Sequence, residues 1–242
     1  MPDAEIKIGC CGFPLPQAEY LRLFNLVEIQ RTFYQLPRLE TAERWRRGFP
    51  AGFEFTLKAW QLITHPPNSP TYRRLGKAAD PDKFERCGSF CPSREVFDAW
   101  QRTSEFALRL EARLVIFQCP ASFRPGVENI NNMREFFRRI ERHGLQLVWE
   151  PRGPWPDDLV RGLCQELGLI HCVDPFKGPP AYGDFLYFRL HGVGGYRYRY
   201  TDEDLARLKE FASGKSGYVL FNNIWMKDDA LRFKRLMAPY AN

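Results

Sequence analysis

Histidine is scarce in this chain: His65, His143, His171 and His191 are the whole complement among 242 residues. A multi-zinc centre rich in histidine is therefore not expected, since His143 falls near a helix end and His171 has the opposite strand parity to Asp174. No apolar run reaches the 18 or so residues that read as a membrane span, so no membrane partner is expected. The amino end, "MPDAEIKIGCCGF", enters a strand without a basic and then apolar leader, which predicts a protein without a signal peptide. Neither a GxGxxG fingerprint nor a Walker loop follows the first strand, which argues against a nucleotide-binding open sheet. Repeats, linkers and low-complexity segments are missing too, so residues 1–242 are expected to form one domain.

What is present begins with seven cysteines, Cys10, Cys11, Cys87, Cys91, Cys119, Cys164 and Cys172. An odd count without a leader predicts reduced thiols and a cytoplasmic location. The pair in "CGSFC" (87–91) has tempting spacing but lacks the further ligands a zinc or iron–sulfur site needs. Semi-buried thiols, or a local disulfide, are the expectation there. A formal charge of +6 and a pI near 9.0 favour anionic partners, namely a phosphate- or carboxylate-bearing small molecule or nucleic acid. The same balance also suits a mildly basic soluble protein with no such partner.

Short apolar runs alternate with helical patterns along the whole chain. The runs are "IKIGC" (6–10), "LVEIQ" (26–30), "FEFTLKA" (53–59), "RLVIFQC" (113–119), "LQLVWE" (145–150), "LIHCVD" (169–174), "DFLYFRLHG" (184–192) and "GYVLFNN" (217–223). At least seven precede a helix-like segment, among them "NINNMREFFRRIERHG" (129–144) and "TDEDLARLKEF" (201–211). Thr201 with Asp204 predicts a capping box, and Gly144 and Gly168 are placed to stop helices in the left-handed region. Near-continuous apolar strands separated by helices call for a parallel sheet covered on its outside. Eight such units in this length predict a closed TIM-type (β/α)8 barrel of the α/β class.

Barrels of this kind work at the carboxyl ends of their strands. Those positions hold Cys10, Cys11 and Gly12; Glu28 and Gln30 with Tyr34 beyond; Lys58 with Thr64 and His65 in the next loop; Gln118; Glu150 and Arg152; Asp174; Arg189 and His191; and Asn222 with Asn223. Parity groups them: Glu28 with Gln30, Thr56 with Lys58, and Arg189 with His191, each opposite an apolar set. Buried charge on so many strand ends is costly unless paired, which predicts a functional pocket. Any single residue can instead be a mouth-plugging ion pair, such as Glu28 with Lys58 or Glu150 with Arg189.

The same residues carry a resemblance. "IGCCGF" (8–13), "VEIQRTFYQLP" (27–37), "FTLKAWQLITH" (55–65), "VIFQCPASF" (115–123), "WEPRGPW" (149–155), "VDPF" (173–176), "YFRLHG" (187–192), "YRYRYTDEDL" (196–205) and "FNN" (221–223) run nearly the full length. Together they resemble the YecE-like proteins, also called the domain of unknown function 72 family, above all an archaeal-type branch. The resemblance implies a TIM-type barrel, shaped like sugar-isomerase and apurinic-endonuclease barrels, with no established reaction. Cys10, Cys11 and Phe13 depart from the small hydroxyl residue and Trp of many members.

Two classes of function are expected to compete. In the first, an enzyme of hydrolase or isomerase type uses acid–base chemistry on an anionic substrate. Glu28 or Glu150 is the base, His191 an acid or shuttle, and Lys58, Arg152 and Arg189 grip the anion. Gln30, Tyr34, His65, Gln118, Asp174 and Asn222 complete the binding set. A variant adds one divalent metal on Glu28, Glu150, Asp174 and His191. In the second, the chain binds nucleic acid through Tyr196, Arg197, Tyr198 and Arg199 of "YRYRY" (196–200), or through the basic helix "REFFRRIERH" (134–143). That helix also reads as a barrel helix with a solvated basic face. The loop carrying "YRYRY" follows glycines after strand seven, where barrels commonly hold phosphate.

Overall fold

A computed structural model describes residues 5–75 and 84–238. The strands are β1 Ile6–Cys11, β2 Leu26–Ile29, β3 Glu54–Lys58, β4 Ala112–Gln118, β5 Gln146–Glu150, β6 Ile170–Val173, β7 Phe185–Leu190 and β8 Ser216–Phe221. They follow one another in chain order and close into a parallel barrel, the TIM-type architecture that the alternating pattern predicts. The helices are α1 Gln17–Tyr20, α2 Arg31–Tyr34, α3 Leu39–Arg47, α4 Gln61–Thr64, α5 Arg94–Arg109, α6 Val127–Arg139, α7 Asp157–Leu167, α8 Asp202–Ala212 and α9 Met226–Met237. Among the described residues no helix is long and apolar enough to cross a membrane.

The chain forms two compact units, one of residues up to Glu28 with those from Ile170 onward, the other Ile29–Leu169. In the first, β6, β7, β8, β1 and β2 pair in that order, with Cys11 in register with Glu28 and Tyr187 with Tyr218. In the second, β3, β4 and β5 pair, with Lys58 beside Ile116 and Gln118 beside Glu150. Strand registers therefore bring polar residues level at the carboxyl ends of neighbouring strands.

The expected capping box is present: Thr201 Oγ1 accepts from the Asp204 amide and the Asp204 carboxylate accepts from the Thr201 amide. Gly168 ends α7 at φ 57° as expected, but Gly144 does not end α6. That helix stops at Arg139, and Ile140 turns extended so that its side chain stays in the core. His143 and Gly144 then share a left-handed turn closed by the Leu145 amide on the Arg142 carbonyl, 2.8 Å. Two further departures are the one-turn helices α2 and α4, where loop is expected after β2 and β3. Thr64 ends α4 and His65 follows it directly.

The "CGSFC" segment owes its spacing to packing. All seven cysteines are free thiols. Gly88, Ser89 and Phe90 take positive φ, and their amides donate to the carbonyls of Leu62, Thr64 and Ile63 at 2.7, 3.2 and 2.9 Å. These are the carbonyls that the end of α4 leaves without helical partners. The same buckle drives Phe90 into an aromatic core, with ring centroids 5.2 Å from Phe137 and 5.3 Å from Phe136. A Cβ at Gly88 would meet the His65 carbonyl oxygen at 2.3 Å and the Pro66 nitrogen at 2.6 Å. Left-handed backbone and backbone contact together predict that Gly88→Ala destabilises the chain by about 2–4 kcal/mol in chemical denaturation. An unchanged midpoint would contradict this role for the segment.

Candidate functional site

In the unit Ile29–Leu169, five predicted residues meet at the carboxyl ends of β3, β4 and β5. Glu150, the last residue of β5, is almost fully buried. Its Oε2 accepts from Gln118 Nε2 at 2.8 Å and its Oε1 from Arg152 Nε at 3.1 Å. Register sets the first contact, because Gln118 and Glu150 are level across β4 and β5. Arg152 lies two residues past the strand, and its side chain remains 41% exposed, so one end of this ion pair reaches solvent.

Lys58 closes β3 with its Nζ 3.5 Å from the centre of the Phe33 ring. Thr32 Oγ1 donates to the Lys58 carbonyl at 2.7 Å, which ties α2 to the end of that strand. His65 packs edge-on against Phe33, ring centroids 4.8 Å apart, and its Nδ1 is 2.8 Å from Thr64 Oγ1. Burial pushes the His65 imidazolium down from 6.5 to about 3, and the charges of Lys58 and Arg152 push the same way. His65 is thus a neutral imidazole at pH 7, in the field of the Lys58 and Arg152 cations.

In the other unit, Glu28 on β2 and Arg189 on β7 form an ion pair at 2.9 Å with almost no exposure of either side chain. Tyr187 Oη, two residues before Arg189 and on the same strand face, donates to Glu28 Oε2 at 2.7 Å. Burial, followed by the Glu28 carboxylate, pushes the Cys11 thiol well up, and burial raises Cys10 to about 12. Both thiols stay protonated and unreactive at neutral pH. Asp174, after β6, accepts from the His191 amide at 3.1 Å and from the Phe176 amide at 3.2 Å, with His191 Nδ1 3.7 Å away.

The "YRYRY" run divides between inward and outward side chains. Tyr198 and Tyr200 turn inward: Tyr198 Oη donates to Asp204 at 2.6 Å, and the Gly192 amide donates to Tyr200 Oη at 2.8 Å. Tyr196, Arg197 and Arg199 stand outward. Sequence reasoning misses what this loop rests on. Asn223 Nδ2 donates to the Tyr198 carbonyl and to the buried Asp229 carboxylate, both at 2.8 Å, and the Ile224 amide donates to the Tyr196 carbonyl at 3.0 Å. Arg199 stacks on the Trp225 ring, 5.1 Å to the centroid. The signal available for Asn223 is its place beside Asn222 at the end of β8; nothing in the sequence marks Asp229.

The remaining predicted residues are less engaged. Gln30 occupies the N-cap position of α2 without a side-chain cap bond and is half-buried, as is Asn222, whose amide donates to the Leu190 carbonyl at 2.9 Å. The Tyr34 ring carries Arg74 at 4.5 Å, and its carbonyl accepts from Gln61. The basic helix α6 spends its arginines on acids: Arg134 and Arg138 on Glu166, Arg139 on Glu135. Among the described residues no three His, Cys, Asp or Glu side chains gather as metal ligands, so Glu28, Glu150, Asp174 and His191 do not form such a set.

Two outcomes follow from these contacts. An unfolded His65 binds a proton near 6.5 while the folded one does so only near 3, so the unfolded state holds more protons between those values. Stability must fall as pH drops through that window, and His65→Asn is expected to remove about one proton from the slope of denaturation midpoint against pH. Identical slopes would contradict a neutral His65. Arg189→Met strands the enclosed Glu28 carboxylate and is expected to cost about 3–5 kcal/mol in chemical denaturation. A cost below about 1 kcal/mol would mean that the pair is not desolvated.

Comparison with known proteins agrees with this barrel. A DUF72 family protein from Enterococcus faecalis V583 superposes with a TM-score of 0.72 at 21% identity, covering 97% of this chain and 98% of its own. A DUF72 family protein from Thermotoga maritima MSB8 gives 0.68 at 20%, covering 96% and 98%. An AP endonuclease, family 2, from Brucella melitensis gives 0.56 at 16%, covering 99% and 100%. At these identities the likeness is one of fold. No curated protein matches the chain. The family model described as "Protein of unknown function DUF72" matches residues 17–242, and the chain belongs to that family.

Proposed function

We propose that this protein is an enzyme using acid–base chemistry on an anionic, phosphate- or carboxylate-bearing substrate. The cluster of Lys58, His65, Gln118, Glu150 and Arg152 is its working centre. The observation that carries the reading is His65, held neutral by burial and by the two cations beside it. A neutral imidazole offers one hydrogen-bond donor and one acceptor and does not repel the cations beside it, so His65 orients a bound anion while Glu150 takes the proton. Lys58 and the half-exposed Arg152 grip the anion. Gln118 and Arg152 fix the Glu150 carboxylate, which serves as the base. Proton transfer of this kind serves hydrolysis and isomerisation alike, and no step in it needs a metal.

The test is a thermal-shift screen of phosphorylated and carboxylated metabolites on wild type, Glu150→Gln and Lys58→Met. One anion class should raise the wild-type melting temperature by a few degrees, as binding at about 100 Kd adds about 2.7 kcal/mol. Lys58→Met should lose that shift. Glu150→Gln should retain binding while losing turnover of the same compound by about 100-fold or more. Flat responses in all three proteins would overturn the reading.

A second reading, single-stranded nucleic acid, is favoured by one observation. Large exposed apolar side chains concentrate on two adjoining loops, Val193 and Tyr196 before α8, and Ile224 and Trp225 before α9, with Arg197 and Arg199 among them. Exposed aromatics with arginine are how base-stacking surfaces are built. Under this reading Tyr196→Ala and Arg197→Ala weaken oligonucleotide binding, whose affinity falls steeply with salt. If Arg197→Ala and His191→Ala instead leave oligonucleotide binding unchanged, this second reading fails.

A further inference from the structure

The connection from β2 to α3 carries a second basic feature, outside the cluster at Lys58. Arg31, Arg38 and Arg44 line one hollow of about 350 Å³, together with Gln35, Thr41 and Trp45. Arg31 opens α2, Arg38 precedes α3 and Arg44 lies on that helix, so three short segments of chain each contribute an arginine to the lining of one hollow.

None of these three arginines has an ion-pair partner among the described residues. The nearest candidates in sequence do not supply one. Glu43 is taken by Arg109 at 3.1 Å, and Glu40 forms no ion pair among the described residues. Several arginines of the outer helices are matched to acids, as in Arg134 and Arg138 on Glu166 and Arg161 on Asp158, and others lie over aromatic rings, as Arg102 does on Trp60 and Arg207 on Phe176. Three like charges lining one concavity repel one another, and each unmatched guanidinium keeps its fork of donors free. All three side chains are exposed, so water and salt screen this repulsion, and an anion that replaces the water gains their charge-assisted hydrogen bonds. Arginine's planar fork favours an oxyanion that can accept several paired hydrogen bonds, as phosphate does. Thr41 and Gln35 add neutral polar groups to the same wall, and Trp45 adds an apolar one.

We infer that the Arg31–Arg38–Arg44 hollow is a phosphate-binding site. It is distinct from the proposed acid–base cluster, and it takes either a free phosphorylated compound or one phosphate of a nucleic-acid backbone. The test is calorimetric titration of the full chain at low salt with inorganic pyrophosphate and, separately, with oligothymidylate. Wild type should bind at least one probe at a saturable site. Arg38→Gln with Arg44→Gln should weaken that binding by about tenfold to 100-fold, the range for lost hydrogen bonds to a charged group. Circular dichroism melting without ligand reports whether the double variant is folded. Arg31→Gln, made alone, provides a second variant of smaller disturbance.

Binding of pyrophosphate assigns the site to free phosphates. Binding of the oligonucleotide alone, with affinity falling steeply in salt, assigns it to a polymer backbone. Lys58→Met should leave the arginine-dependent binding event in place, and any separate event that it removes belongs to the Lys58 cluster. The proposal is overturned if neither probe binds at a saturable site, if the arginine variants bind as tightly as wild type, or if Lys58→Met alone abolishes binding.

Discussion

Glu28 and Arg189 lie 2.9 Å apart with almost no access to solvent, and a charge so placed has no water to turn to. Everything around them follows from that constraint. Tyr187 must spend its hydroxyl on the carboxylate, and the neighbouring thiol of Cys11 stays protonated. The pair joins β2 to β7, elements far apart in sequence. Removing either member would leave the other charge buried without compensation, the costly case, whereas the intact pair contributes little net stability. Its value lies in fixing one arrangement of strand ends.

The same rule, relaxed, separates the Lys58–Glu150 cluster from that enclosed pair. Glu150 and Lys58 are also nearly buried, but Arg152 reaches solvent and His65, in the field of Lys58 and Arg152, stands neutral. A group of two cations, one carboxylate and one uncharged imidazole has charge to spare for an anion and a proton acceptor at neutral pH. The enclosed pair has neither. This contrast moves the weight of the functional reading from Glu28 to Glu150.

Much of the fold is legible in the sequence because strand periodicity and turn chemistry are local. All eight strands begin and end within about two residues of the apolar runs, and the Thr201 box is readable from Thr and Asp three apart. Other features are set by contacts that no local pattern carries. The early end of α6 follows from Ile140 keeping its place in the core, and the one-turn helices α2 and α4 are too short to show a period. Tyr187 is omitted from the expected site although its parity with Arg189 marks it. Asp229, which supports the aromatic loop through Asn223, is invisible because it sits in an ordinary helical first turn. The cysteine pair of "CGSFC" shows the reverse error: a spacing suggestive of chemistry turns out to serve a backbone buckle that caps α4.

The central claim is that the carboxyl ends of β3, β4 and β5 form an anion site with a neutral histidine in it. Crystals soaked in selenate test it most directly, because selenium's anomalous scattering identifies the anion without ambiguity. The account predicts a selenate within hydrogen-bonding reach of Lys58 Nζ and the Arg152 guanidinium, beside His65. A well-occupied selenate elsewhere on the protein, with none at Lys58 and Arg152, would contradict it.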